Sequence, residues 1–99
     1  PGLILVSTGF DAHAQDPIGG MRLSSSCYGA IAGLIRDTAG ELKIPVVYTL
    51  EGGYNLDAQR DSVREIIAVL KGEKAPNIVP ETWPELDRMI QTHGKYWTF

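Results

Sequence analysis

The sequence predicts an α/β protein built around a parallel sheet. Two short apolar runs, at 3–7 and 44–50, have the length and the β-branched content of strands in such a sheet. The long stretch between them contains apolar residues at helical spacing, as does the stretch after the second run. A strand, a helix and a parallel strand form a right-handed βαβ unit, so we expect the element order β-α-β-α-α.

The first predicted strand, "LILVS" at 3–7, is apolar over most of its length, which is typical of a strand buried on both faces of a sheet. A loop rich in glycine, aspartate and proline follows, to about residue 23. A helix is then predicted from the serines at 24–26, any of which suits an N-cap, to about Glu41. Its apolar residues recur on one face: Cys27, Tyr28, Ile31, Leu34 and Ile35.

The second predicted strand, "IPVVYTL" at 44–50, has its proline near the start, where a strand tolerates it. After the loop "EGGYN" at 51–55, a second helix is predicted, with Gly72 at its C-terminus. The apolar positions of this helix are Val63, Ile66, Ile67 and Leu70.

The C-terminal part of the sequence predicts a linker and a third helix. The segment "KAPNIVPE" carries two prolines and reads as the linker. Thr82, Pro84 and Glu85 then form a capping box with proline in the first turn. We expect this helix to end near His93, before Gly94.

The composition is that of a globular protein and excludes several function classes. The net charge is −3, the pI is near 5.2 and the nine Lys and Arg are scattered, so nucleic-acid binding is not expected. Cys27 is the single cysteine, which excludes an internal disulfide, and no apolar run approaches the roughly 18 residues of a membrane span. A reducing, cytoplasmic setting is therefore expected. Because the sequence starts at Pro1 and becomes apolar at Leu3, we also expect it to be a fragment of a longer protein.

Two polar loops follow the predicted strands. "GFDAHAQDP" at 9–17 places two carboxylates and a histidine directly after the first strand, and "EGGYN" at 51–55 follows the second. Ligands of α/β sheets bind outside the carboxyl ends of the strands. Both loops leave such ends, so we expect them to lie at the same edge of the sheet and to share one site.

Asp11 is a candidate metal ligand in the first loop. Gly9 permits a turn that aims the Asp11 side chain over the sheet edge, and a carboxylate is one of the donors that bind Zn²⁺. His13, two residues later, suggests a pair of ligands in the pattern D-x-H. The loop offers no third donor, however, and a lone aspartate or histidine after a strand is commonly a capped loop residue. Both interpretations stay open.

Tyr54 is a candidate hydrogen-bond donor in the second loop. Gly52 and Gly53 bring the backbone close to a bound molecule, and a phenol suits the developing oxyanion of a carbonyl attacked by water. Two other interpretations stay open. One is a tight strand-to-helix turn with a half-buried, packed tyrosine. The other is a phosphate cradle at a helix N-terminus, although the loop lacks the glycine spacing of the usual phosphate motifs.

Taken together, the two loops resemble the C-terminal part of the catalytic domain of the histone deacetylase family. They are most similar to class II deacetylases and to bacterial and archaeal relatives that include acetylpolyamine amidohydrolases and acetoin-utilisation proteins. The signatures G-F-D-A-x-x-x-D-P-x-G and E-G-G-Y-N occur in the right order, and the resemblance covers about residues 3–71. It implies a piece of the three-layer, parallel-sheet, arginase-like deacetylase fold. Residues 1–72 would be the C-terminal part of the catalytic domain, and 73–99 a linker and C-terminal helix of that domain.

The resemblance also implies roles for residues of both loops. Asp11 is similar to the second carboxylate ligand of a catalytic zinc, and Tyr54 to the tyrosine that hydrogen-bonds the substrate carbonyl. His13 matches no ligand of the family, and Asp16 is implied to fix its loop through backbone hydrogen bonds. Ile18 falls where acetylpolyamine-selective relatives can carry an acidic residue. The substrate pocket is expected to include Gly52, Gly53 and Ile18, and Glu51 is expected to support its loop.

The activity implied by the resemblance is zinc-dependent hydrolysis of an acetylated lysine peptide or a small acetylated amine by metal-activated water. The family's tandem histidines and its first two zinc ligands precede the matched segment. We therefore expect this chain alone to bind zinc weakly or not at all and to be inactive. Bare sheet edges favour self-association. The alternatives are a non-catalytic scaffold of the same fold, which would lack the upstream histidines, and a nucleotide-binding domain, which the missing phosphate motif disfavours.

Overall fold

The computed structural model describes residues 1–77 and 84–98. These ranges contain two strands and three helices, in the order β1 Ile4–Thr8, α1 Ser25–Leu42, β2 Val46–Leu50, α2 Leu56–Leu70 and α3 Pro84–His93. The α/β class and the order β-α-β-α-α agree with the prediction from the sequence. The second strand starts later than predicted, and the carbonyl of Pro45 before it accepts the backbone N–H of Ile4 at 3.0 Å.

The two strands pair in parallel with their ends level. Ile4 lies opposite Val46 at one end of the sheet and Thr8 lies opposite Leu50 at the other. The loops that follow β1 and β2 therefore leave the sheet at the same edge, as expected for a βαβ unit.

The hydrophobic core lies between the sheet and helices α1 and α2, which pack against each other. Its buried residues come from the β1–α1 loop and from both helices: Phe10, Tyr28, Ala32, Ile66 and Val69. Leu23, Tyr48, Val63 and Ala75 pack around this cluster. The loop that carries the first candidate site is thus fixed to the core one residue before Asp11.

Only one face of the sheet is covered by the described residues. Residues of α1 and α2 line a cavity together with Val6, Thr8 and Tyr48, so both helices lie on the same side. On the other face Leu5 is 68% exposed and Val47 is 44% exposed. The expectation that the first strand is buried on both faces is therefore wrong for this part of the chain, because nothing described here packs on the second face.

Helix α1 has the bounds that the sequence predicts, but its two ends lack the usual capping side chains. Ser24 occupies the N-cap position, as one of the three candidate serines, but its side chain makes no capping bond. The C-terminus is closed by Lys43 in the left-handed conformation, at φ 54°. The N–H of Lys43 donates to Gly40 and that of Ile44 to Ala39, so the last carbonyls are satisfied without a glycine.

Helix α2 has both of its termini capped in the usual way. Asn55 precedes it, and its side-chain oxygen accepts the N–H of Ala58 at 2.9 Å. At the other end Gly72 adopts φ 102° and its N–H donates to the carbonyl of Val69 at 3.0 Å. The prediction of Gly72 as the C-terminal glycine is confirmed.

Helix α3 runs from Pro84 to His93, and the N–H of Gly94 donates to the carbonyl of Ile90 at 2.7 Å. Its end agrees with the sequence prediction. Thr82, the residue predicted to cap it, lies outside the described residues. None of the helices within 1–77 and 84–98 is long and apolar enough to cross a membrane.

Arg36 of α1 ties the two core helices together at the end of α2. Its guanidinium Nη1 donates to the carbonyl of Val69 at 3.1 Å and to that of Glu73 at 3.0 Å. Carbonyls at a helix C-terminus lack intrahelical partners and carry partial negative charge, so a cation there satisfies both needs.

We predict that Arg36→Met lowers the free energy of unfolding by about 1–2 kcal/mol, because methionine keeps the aliphatic stem but removes the cation from the C-terminus of α2 and the donor to the carbonyl of Glu73. Arg64→Met is the matched control, since Arg64 is 75% exposed and its nearest carboxylate is 3.9 Å away. Urea denaturation followed by circular dichroism measures both variants. Equal stability of the two would contradict the capping role of Arg36.

We also predict that this chain by itself associates through the uncovered face and edges of its sheet. Leu5→Glu is expected to raise the dissociation constant about tenfold or more, since burying a leucine contributes roughly 1.5–3 kcal/mol. Leu56→Glu is the control, because Leu56 is 79% exposed at the start of α2. Sedimentation velocity over a concentration series gives the measurement, and a monomer at every concentration would show the prediction to be wrong.

Candidate functional site

The two polar loops form one structural unit at the carboxyl edge of the sheet. The N–H of Glu51 donates to the carbonyl of Thr8 at 3.0 Å, and the N–H of Phe10 donates to that of Gly52 at 2.9 Å. Strand-like pairing thus continues beyond both strands. The candidate residues of the two loops lie at the same edge, as the topology predicts.

Asp11 lies beside the second loop with an exposed side chain. A Cβ atom at Gly52 would stand only 2.8 Å from Oδ2 of Asp11, so a larger residue at position 52 would displace the carboxylate. Among the described residues no hydrogen bond engages either carboxylate oxygen. Asp11 is therefore held close to the β2–α2 loop while its oxygens stay free to bind a cation or a donor.

His13 is buried, at 7% exposure, and both of its ring nitrogens are used within the protein. Nδ1 accepts the backbone N–H of Gln15 at 3.1 Å, which assigns the ring proton to Nε2. Nε2 lies 3.0 Å from Oγ of Ser25 and donates to it. With both nitrogens engaged, His13 cannot act with Asp11 as a D-x-H pair of ligands in this conformation.

Asp16 accepts three backbone hydrogen bonds with its carboxylate. Oδ1 receives the N–H groups of Ile18 and Gly19, both at 2.8 Å, and Oδ2 receives the N–H of Tyr54 at 2.8 Å. The first two bonds form a turn within the loop, whereas the third crosses to the other loop. The N–H of Tyr54, together with those of Ile18 and Gly19, holds the pKa of the Asp16 carboxyl below its usual value.

Tyr54 points away from the core and is 62% exposed. Gly53 before it adopts φ 117°, and a Cβ atom there would lie 2.8 Å from Cβ of Phe10, so both backbone and space require glycine. The side-chain amide of Gln59 donates to the carbonyl of Gly53 at 2.9 Å, which braces the same turn. The exposure disagrees with the interpretation of Tyr54 as a half-buried packing residue.

The remaining predicted residues lie around these two loops. Glu51 accepts a hydrogen bond from Oγ of Ser7 at 2.8 Å, beside the end of β1. Ile18 is 72% exposed on the turn that Asp16 closes.

Sequence reasoning overlooked three residues that build the site. Phe10 is 1% exposed and anchors the first loop, and the ring of Tyr28 contacts it edge to face at a centroid distance of 5.0 Å. Burial raises the pKa of Tyr28, and the charges of Asp11 and Asp16 raise it further.

The third residue, Asn55, donates to the carbonyl of Gln15 at 3.2 Å, which is a second contact between the loops. The polar residue before an apolar helix was a visible N-cap signal for Asn55.

The described residues offer one candidate ligand for zinc. No group of three or more histidine, cysteine, aspartate or glutamate side chains within 1–77 and 84–98 is arranged to hold a metal ion. A catalytic zinc uses about three protein ligands. The carboxylate of Asp11, which no described hydrogen bond occupies, has the donor chemistry for one of these positions.

Comparison with known proteins identifies one family. The histone deacetylase domain matches residues 1–70. The histone deacetylase HDA1 of Saccharomyces cerevisiae is 37% identical over 98% of this chain. The polyamine deacetylase HDAC10 of Mus musculus is 33% identical over 99% of it. The structure of the histone deacetylase Clr3 matches 98% of this chain with a TM-score of 0.77 and 29% identity.

The chain spans only part of each of these proteins. It covers 14% of the yeast HDA1 sequence, 15% of the mouse HDAC10 sequence and 17% of the Clr3 chain. Its own fold, with helices packed on a short parallel sheet, is a piece of the arginase-like α/β fold of those domains. By sequence and by structure, this chain belongs to the histone deacetylase family.

Proposed function

We propose that this chain supplies one metal ligand and one oxyanion donor to a zinc-dependent deacetylase. The observation that carries the proposal is the contact between the loops, in which the Asp11 carboxylate lies against Gly52, two residues before Tyr54. A ligand and a phenol that arise side by side at the carboxyl edge of a sheet are placed to act on one bound molecule.

Asp11 is the residue that would hold the metal, through an exposed carboxylate that no described hydrogen bond occupies. A zinc ion held there would supply the Lewis acidity needed to polarise an acetyl carbonyl and to activate water. The Asp11 carboxylate would also offer its full negative charge to the cation. It accepts no backbone hydrogen bond from the loop, because Asp16 accepts those of Ile18 and Gly19.

Tyr54 would donate its phenolic proton to the oxygen of the acetyl carbonyl as negative charge develops there. Its exposed ring extends from a turn that Gly53, Gln59 and Asp16 hold in place. A donor fixed before the reaction needs little reorganisation when charge appears, which is the source of its effect on rate. The general base, a histidine in this family, belongs to residues outside this chain.

Acetylated lysine in a peptide is the substrate that we propose first, ahead of a small acetylated amine such as an acetylpolyamine. Ile18 is apolar and 72% exposed on the turn beside the site. It offers no negative charge to the ammonium groups of a polyamine, whereas an apolar surface suits the aliphatic stem of lysine.

We predict that Asp11→Asn, made in a full-length protein that carries this chain, loses most of its zinc, because the amide oxygen is a weaker ligand than a carboxylate. Bound zinc is measured by inductively coupled plasma mass spectrometry after dialysis. Asp87→Asn, on the exposed face of α3, is the control and should retain full occupancy.

The chain alone should bind zinc weakly or not at all, since its described residues hold no group of three side chains that could ligate a metal ion. Calorimetric titration that gave tight one-to-one binding to the chain would contradict this assignment of ligands, as would full zinc occupancy in Asp11→Asn.

We predict that Tyr54→Phe in the same full-length protein lowers kcat on an acetyl-lysine peptide by about 10²- to 10³-fold, the usual loss for one oxyanion donor. Zinc content should be unchanged, since the phenol is not a ligand. Tyr96→Phe is the control, because Tyr96 is 70% exposed beyond α3. An acetylpolyamine assayed beside the peptide ranks the two substrates, and wild-type turnover by Tyr54→Phe would overturn the proposed function.

A further inference from the structure

Asp16 joins the two loops through its side chain. We propose that Asp16 is a positioning residue, which sets the place of Tyr54 relative to Asp11. This inference rests on the proposed function, because it assigns to Asp16 the alignment of the two groups on which that function depends.

The two oxygens of Asp16 reach different parts of the site. Oδ1 accepts the N–H groups of Ile18 and Gly19, and a Cβ atom at Gly19 would clash with the backbone carbonyl of Asp11. The turn that Oδ1 closes is therefore packed against the backbone of Asp11. Oδ2 accepts the N–H of Tyr54 at 2.8 Å. The Asp16 carboxylate is thus hydrogen-bonded both to the turn that packs on the backbone of Asp11 and to the backbone N–H of Tyr54.

The charge of Asp16 strengthens this connection. Hydrogen bonds to an ionised acceptor are shorter and stronger than neutral ones. All three bonds measure 2.8 Å. The lowered pKa of the carboxyl has the same origin, since the donors favour the ionised form.

The other contacts of the second loop act on its neighbours rather than on Tyr54. Gln59 holds the carbonyl of Gly53, and Asn55 caps α2 and reaches Gln15. The ring of Tyr54 is 62% exposed. Within 1–77 and 84–98, the bond to Asp16 is the hydrogen bond that fixes the backbone of Tyr54 itself. The hydroxyl of tyrosine lies far from its Cα atom, so a small rotation of the backbone at Tyr54 displaces it appreciably. Misplacement of a reacting group by about 1 Å can lower the rate 10²-fold.

Asp16→Asn tests the bond to Tyr54 separately from the bonds to Ile18 and Gly19. The single carbonyl oxygen of asparagine can keep the two bonds to Ile18 and Gly19, since asparagine also forms such turns. Its amide nitrogen then faces the N–H of Tyr54, so an acceptor is replaced by a donor. Asp16→Ser is a second variant, whose hydroxyl can cap the turn but is too short to reach Tyr54. Asp87→Asn is the control for the change of charge.

The experiment uses zinc-loaded full-length protein and an acetyl-lysine peptide. We expect Asp16→Asn and Asp16→Ser to lower kcat about 10- to 100-fold. We expect KM to change by less than about threefold and bound zinc to be unchanged, because Asp11 keeps its turn. In the Tyr54→Phe background, Asp16→Asn should cause little further loss, since the group it positions is already absent. Circular dichroism and the unfolding temperature establish that each variant is folded.

Three outcomes would overturn the inference. Wild-type kcat in the folded Asp16 variants would show that Tyr54 is placed without the connection. An equal loss with and without the Tyr54 hydroxyl would show that Asp16 acts through another group. Loss of zinc in parallel with kcat would show that Asp16 supports the ligand alone. Full activity of Tyr54→Phe, in contrast, would overturn the proposed function itself, so the two failures are distinguishable.

Discussion

The candidate site depends on the register of the parallel pairing between β1 and β2, which aligns the ends of the two strands. Thr8 lies opposite Leu50, and the pairing continues through the bonds from Glu51 to Thr8 and from Phe10 to Gly52. In a sheet, a slip of one residue turns every side chain to the opposite face. The same slip here would remove Phe10 from the core and carry the residue after it away from the second loop. The proximity of the loops is thus decided by the backbone before any polar side chain contributes.

Close backbone packing then turns this proximity into a fixed geometry. Gly53 has a positive φ, and a Cβ atom built on it would lie only 2.8 Å from Cβ of Phe10, so there is no space for a side chain at that position. Phe10 is itself enclosed between the loops and Tyr28. A loop that is wedged onto a buried aromatic ring has few alternative conformations, and sites built on such supports hold their reactive groups more accurately than free loops do.

Most of the fold followed from local patterns in the sequence, and the exceptions have physical reasons. The helical periodicity and the C-terminal Gly72 report on neighbouring residues alone, so they were predictable. The uncovered face of the sheet was not predictable, because an apolar run such as β1 reflects what a whole domain buries rather than what one segment of it can cover. A turn at Asp16 was implied by the family resemblance, but its bond to Tyr54 joins residues 38 positions apart, and no local pattern encodes that contact.

The polar side chains of the two loops fall into two groups, those that support the backbone and those that do not. Two side chains are saturated within the loops: His13 uses both ring nitrogens, and Asp16 accepts three backbone N–H donors. The exposed carboxylate of Asp11 and the exposed phenol of Tyr54 make no hydrogen bonds to the described residues. A side chain that satisfies its own loop cannot also bind a metal or a developing charge without breaking that loop. Because Asp16 and His13 support the backbone of the loops, the carboxylate of Asp11 and the phenol of Tyr54 are not needed to hold the loops together.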